Sequence, residues 1–229
     1  MLRKSLIVSA LVVLLGLGSA VLHADVLTYN LDFTFSGGPP PGTPPWLTAV
    51  IEDESPDQVK MTLTAAGLAP GLGVKTWDFN LTDPSLLFGM TLFQAENTIP
   101  ILGISPSWGP DIHQADGDGK YDITIDFDTA PANRFQFDDT VVLHFSGTGL
   151  TAAAFNALSA PGGGAGQFHT AAHIIGYPDP GTPCVDTPGN CTSGWIADGR
   201  PIPEPSSVLL GALACAGVMW AGRKRRHLS

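Results

Sequence analysis

"LTYNLDFTF" (residues 27–35) alternates in hydropathy at every step. Leu27, Tyr29, Leu31, Phe33 and Phe35 fall on one side, and Thr28, Asn30, Asp32 and Thr34 on the other. A period of two is the signature of a strand with one face buried. The same beat recurs in "YDITIDFD" (121–128), where Tyr121, Ile123, Ile125 and Phe127 oppose Asp122, Thr124, Asp126 and Asp128. It returns in "TVVLHFS" (140–146). Further strands are expected at 47–53, 58–65, 74–82, 86–93, 134–138, 168–176 and 193–197. Gly, Pro, Asn and Asp clusters separate them. The 27 glycines and 20 prolines are heavy for a helical protein. One short helix is expected over 151–158, with Thr151 as its cap and Pro161 and Gly162 as its stop. The expected fold is therefore all-β: an antiparallel β-sandwich of jelly-roll or immunoglobulin-like kind, spanning 25–198 as one domain. The Pro-rich stretch 37–45 reads as a stiff loop between the first two strands.

The two ends read differently from this body. Residues 1–24 have Arg3 and Lys4, then an apolar run over 6–17, then Gly18, Ser19, Ala20 and Ala24. That is the order of a signal peptide, with cleavage after Ala20 or Ala24. Its apolar core is short of the roughly 20 residues of a spanning helix. At the other end, residues 199–207 form a tether, 208–222 a transmembrane helix near the minimum length, and 223–229 a basic cytoplasmic tail.

Charge follows the same division. Six of the 11 Lys and Arg residues lie in the two ends. The stretch 25–202 keeps Lys60, Lys75, Lys120, Arg134 and Arg200 against 20 of the 21 acids, a formal charge of −15. Such a surface repels phosphate backbones and anionic headgroups, so no nucleic-acid partner is expected. Cys184 and Cys191 sit in a Pro/Gly/Thr-rich loop, and export makes a disulfide between them the natural expectation. Cys215 falls inside the tail helix.

Pro203-Glu204-Pro205, a Gly/Ala-rich apolar helix and the cluster Arg223, Lys224, Arg225, Arg226 follow one another at the extreme C-terminus. This arrangement resembles the PEP-CTERM sorting signal of exported proteins of Gram-negative bacteria. The resemblance covers residues 203–226. It implies processing by signal peptidase and by exosortase, an integral-membrane cysteine protease. It also implies transient anchoring in the inner membrane and release to the cell surface or extracellular matrix. Two prolines hold the motif extended, as a substrate in a protease groove must be. The stretches "GTPPWLTA", "DGDGKYDI", "GTGLTAAAFNALSAPGGG" and "SGWIADG" resemble the bodies of other proteins bearing this tail. That second likeness brings no catalytic residues.

The strongest candidate for chemistry is "QADGDGKYDI". Gln114, Asp116, Asp118 and Asp122, with the Lys120 carbonyl, stand at alternate positions of a Gly-containing turn. Oxygen ligands so spaced suit Ca²⁺. Gln114 replaces the first Asp of the DxDxDGxxD loops that this pattern resembles, and no Glu completes an EF-hand. The same stretch also reads as an acidic Asp-Gly hairpin turn. His169 and His173 would share a helix face, but their flanks read as strand. There they stand about 13 Å apart and cannot share one metal ion. His113 and His144 are isolated. Paired acids such as Glu52-Asp53-Glu54 and Asp138-Asp139 would serve a glycosidase only across a cleft of set width. Trp46, Trp77, Trp108 and Trp195 suit either sugar stacking or the core. The expected role is an exported, non-enzymatic surface or matrix component, structural, adhesive or carbohydrate-binding, with extracellular polysaccharide as a partner. A secreted polysaccharide hydrolase and a calcium-binding module are the alternatives.

Overall fold

The computed structural model describes residues 25–97, 104–116, 119–162, 166–178 and 191–199. The described chain is mostly β-structure, and every strand pairing in it is antiparallel. Its strands are β1 (Val26–Ser36), β2 (Leu47–Ser55), β3 (Gln58–Thr64), β4 (Gly73–Phe79), β5 (Thr91–Asn97) and β6 (Ser105–Ala115). They continue as β7 (Gly119–Asp126), β8 (Phe135–Gln136), β9 (Thr140–Ser146), β10 (Ala160–Pro161), β11 (Thr170–Pro178) and β12 (Cys191–Asp198). One hydrogen-bonded path runs β10-β7-β4-β11-β12-β1-β2-β3-β9-β5, with β6 paired to β7 and β8 to β4. The path bends on itself. Trp108 of β6, near one end, meets Phe145 of β9, near the other, edge-on with ring centroids 6.3 Å apart.

Between these ends lies one large core. Leu47, Ala49 and Ile51 of β2, Val59, Met61 and Leu63 of β3, and Val141, Leu143 and Phe145 of β9 have no exposed surface. Each strand contributes every second residue, as the sequence rhythm requires. Trp77 stacks on Phe79 at 5.9 Å and leans on Phe135 at 6.4 Å. Phe127 closes on Phe135 at 4.8 Å. Close packing of this kind makes every lost ring costly.

The opening strand obeys its alternation for only half its length. Tyr29 and Leu31 are fully buried, but Phe33 is 46 % exposed. Register shifts between Leu31 and Phe33, and again between Thr34 and Ser36, turn the rest of β1 out of the core. A bulge does this by inserting an unpaired residue. The two-residue link of Pro56 and Asp57 joins β2 to β3, with Asp57 at φ +63°. Asp57 is held there by bonds from Gly149 N–H to its carboxylate and from Gly147 N–H to its carbonyl. The loop 37–45 folds back onto 67–69, and a Cβ on Gly67 would stand 2.0 Å from the Pro45 carbonyl oxygen.

Three local expectations are corrected. The helix expected over 151–158 is a single 3-10 turn, Ala152–Phe155, and the Thr151 side chain makes no cap bond. Part of the strand expected over 86–93 is a second 3-10 turn, Pro84–Gly89, and β5 starts only at Thr91. Asp83 caps that turn by accepting from Ser85 N–H at 2.9 Å, and Pro84 occupies its first position, where a missing N–H costs nothing. Finally, β6 was not expected as a strand at all. Pro106, Gly109 and Pro110 break its pattern, and a register shift between Trp108 and His113 accommodates them. No helix among the described residues is long and apolar enough to cross a membrane.

Candidate functional site

The pairing of β1 with β12 and of β12 with β11 sets three distant segments side by side. On the face turned away from the main core they carry a row of rings. Phe33 lies 5.8 Å from Phe168, and Phe168 lies 5.1 Å from Phe35. Phe35 lies 6.2 Å from Trp195, and Trp195 stacks flat on His173 at 4.8 Å and 5°. Phe33 is exposed and the other four are half-buried. Burial lowers the His173 pKa, with Lys75 adding to that effect and Asp116 opposing it. His173 is thus held as a neutral ring on an indole face.

The predicted oxygen-ligand loop sits at one end of this row. It is a hairpin turn, because Ala115 pairs with Gly119 across β6 and β7. Asp116, at φ +42°, accepts a hydrogen bond from the Ser36 hydroxyl and ties the turn to the end of β1. Gln114 donates its amide to the Gly162 carbonyl at 2.9 Å. Lys120 is exposed on β7 opposite Gln114 and Ala160. Asp122 is buried and faces other partners: its two oxygens accept from Leu81 N–H at 3.2 Å and Asp111 N–H at 3.0 Å. Its own N–H donates to Asn80 Oδ1 at 3.1 Å. Asp118 lies outside the described residues. Among the described residues no three His, Cys, Asp or Glu side chains converge on a common point.

Asp122, Asp111 and Asn80 line a cleft of about 210 Å³ together with Leu81, Pro110 and Ser159. Asp122 acts there as a clasp between the end of β4 and β6. The other acid pairs serve similarly. Asp53 accepts from Ala152 N–H and Asp25 N–H, Glu54 pairs with His144 at 2.7 Å, and Asp139 accepts from Gln136 N–H. Glu52 pairs with Lys60. The two histidines of "HTAAH" go to different partners. His169 Nδ1 contacts Asp198 Oδ2 at 3.0 Å and its ring stacks on Tyr29. Trp46 and Trp77 are core residues, while Trp108 and Trp195 are half-buried.

One buried acid was not singled out by sequence reasoning. Asp78 of β4 is 1 % exposed, and neither of its carboxylate oxygens has a hydrogen-bond partner among the described residues. Burial raises its pKa to about 7; the Thr124 hydroxyl opposes that rise without reaching hydrogen-bonding geometry, and Asp126 adds to it. "KTWDFN" gives no hint of this, since an Asp between Trp77 and Phe79 reads as the solvated side of a strand.

Other predicted residues cannot be placed. Pro203, Glu204, Pro205, Arg223, Lys224, Arg225, Arg226 and Cys184 lie outside the described residues, as do 1–24 and 208–222, where the tail helix is expected. Cys191 opens β12 opposite Pro178, with its side chain outside the description. No family model, curated protein or solved structure matches this chain.

Proposed function

We propose that this chain is an exported, non-enzymatic surface or extracellular-matrix protein that engages polysaccharide through the ring row on its outer face. The observation that carries this reading is the row itself. Phe33, Phe168, Phe35, Trp195 and His173 run contiguously with centroid steps of 4.8 to 6.2 Å. Aromatic faces left half-open to water suit the C–H faces of sugar rings. The formal charge of −15 over 25–202 favours an uncharged glycan over an anionic one. We place the curled ladder with antiparallel sandwiches of the jelly-roll or immunoglobulin-like kind. The apolar and basic ends support delivery: a signal peptide leads, and the PEP-CTERM-like tail anchors the chain until exosortase removes it.

The test has two arms. Mass analysis of the protein from culture medium and cell fractions should find it without residues 1–24 and without the tail beyond the PEP motif. An intact 203–229 segment on the released protein would defeat the sorting part. Affinity electrophoresis in gels containing the producing cell's neutral polysaccharide should retard the protein, and Trp195→Ala with Phe35→Ala should abolish the retardation. Equal mobility with and without polysaccharide would sink the binding part.

A further inference from the structure

The outer face of β4 and β7 carries an oxygen cluster. In the β4–β7 ladder Asp78 stands opposite Thr124, and Thr76 stands opposite Asp126. Residues two apart on a strand share a face, so all four side chains project from one patch. Directly paired residues have Cβ atoms about 4.5–5.5 Å apart. That spacing lets one ion touch side chains from both strands.

The patch has a floor and a mouth. Asp78 is 1 % and Thr124 0 % exposed, whereas Thr76 and Asp126 are half-buried. Neither Asp78 oxygen nor the hydroxyls of Thr124 and Thr76 makes a hydrogen bond of full geometry among the described residues, although the Thr124 hydroxyl stands near enough to favour the Asp78 carboxylate. A hydroxyl can turn to find an acceptor, but an ionised carboxylate can only accept. Left bare in the interior it costs several kcal/mol. No Lys or Arg occupies a flanking ladder position: Asp78 is flanked on β11 by Ala171, and Thr76 by His173. His173 is stacked on Trp195, and its burial disfavours the charged form, so it offers the patch no fixed counter-charge.

We propose that this patch is a calcium site, with Asp78 and Thr124 as its inner ligands and Thr76 and Asp126 at its mouth. The donors are all oxygen, which favours a hard cation over zinc, whose sites are built chiefly on His nitrogen and Cys sulfur. Two carboxylates and two hydroxyls form an irregular set, and Ca²⁺ accepts such sets at about 2.3–2.6 Å, with water completing its shell from the open side. Mg²⁺ demands near-ideal octahedral geometry that two twisted strands do not supply. The site is distinct from the oxygen-ligand loop predicted around Asp116, and it stands whether or not the ring row binds glycan.

The experiment is calorimetric titration of metal-free, full-length protein with calcium chloride at pH 8, paired with thermal melts. The expected result is one calcium per chain, with Tm raised by calcium. Asp78→Asn, which keeps shape and removes charge, should weaken binding at least tenfold. Thr124→Val should weaken it severalfold, and it carries the test should Asp78→Asn not fold. Asp118→Asn should leave binding unchanged. Absence of heat and of any Tm shift at millimolar calcium would overturn the proposal. Binding that survives Asp78→Asn or Thr124→Val, or that Asp118→Asn weakens, would overturn it equally.

Discussion

The two faces of β4, β7, β11 and β12 differ more than one-residue offsets suggest. The inner face holds Trp77, Phe79, Ile123, Ile125, Ile174 and Ile196, none more than 1 % exposed. Two polar atoms that enter this interior are paired, though Trp46 Nε1 is not: the Tyr29 hydroxyl donates to the Phe155 carbonyl at 3.0 Å. Trp77 Nε1 donates to Thr170 Oγ1 at 2.8 Å, and that hydroxyl passes its own proton to the Asp78 carbonyl at 2.7 Å. The outer face holds half-open rings and, one strand over, buried oxygens without partners. An alternating strand predicts a solvated outer face. Here that face is partly covered, and some of its polar groups, those of Asp78, Thr76 and Thr124, are left unsatisfied. The inner face is arranged for stability; the outer face forgoes some of it.

The hardest blow to this contrast comes from the inner side. Trp77→Ala should cost about 3–5 kcal/mol in denaturant unfolding, because it opens a cavity between Phe79 and Phe135. A loss near 1 kcal/mol would mean that the core is much looser than described. Next comes the buried acid on the outer side. Its folded pKa, about 7, lies above the ordinary 3.8. Its contribution is therefore fully favourable below pH 4 and lost as pH rises through 7. At roughly 1.4 kcal/mol per pH unit, metal-free protein should lose at most about 4 kcal/mol from this group over that window. Asp78→Asn should flatten that part of the stability curve, as read by urea midpoints between pH 4.5 and 8.5. Identical curves would remove Asp78 from the account.

Smaller effects sharpen the same contrast. Tyr29→Phe should cost about 1–2 kcal/mol, since it strips the buried Phe155 carbonyl of its donor. Trp195→Ala should cost no more than about 1.5 kcal/mol of stability, the worth of its stacking contacts. Under the proposed glycan role its effect falls on retention instead. A Trp195 variant as unstable as the Trp77 variant would show that the two faces are not functionally separate.

Much of the inner face could be read in advance. The alternations at 47–53, 58–65 and 140–146 became strands whose buried apolar residues are those the period marks, because each strand has one dominant neighbour layer; His144 is the off-period residue that is also buried. Elsewhere local signals competed. In 84–89 Leu86, Leu87 and Phe88 suggested a strand, but Asp83-Pro84 is a helix-start signal that decided the outcome. In β6 prolines hid a strand that its pairing with β7 sustains. The ring row was not legible, because Phe33 and Phe35, Phe168 and Trp195 are joined only by long-range pairing. Asp78 was missed for a related reason: burial of an outer face depends on what lies over it, which no local period records.

The first and last described strands are neighbours, with Leu31 opposite Asp198 and Ser36 opposite Trp195. The chain ahead of Val26 and the chain after Asp198 therefore depart from the same end of that pair. Under tension applied through those two segments, β1 and β12 part like a zipper, one rung at a time. The Leu31–Asp198 rung opens first, and the contact of Phe35 with Trp195, beside the far rung of Ser36, is the last of that ladder to part.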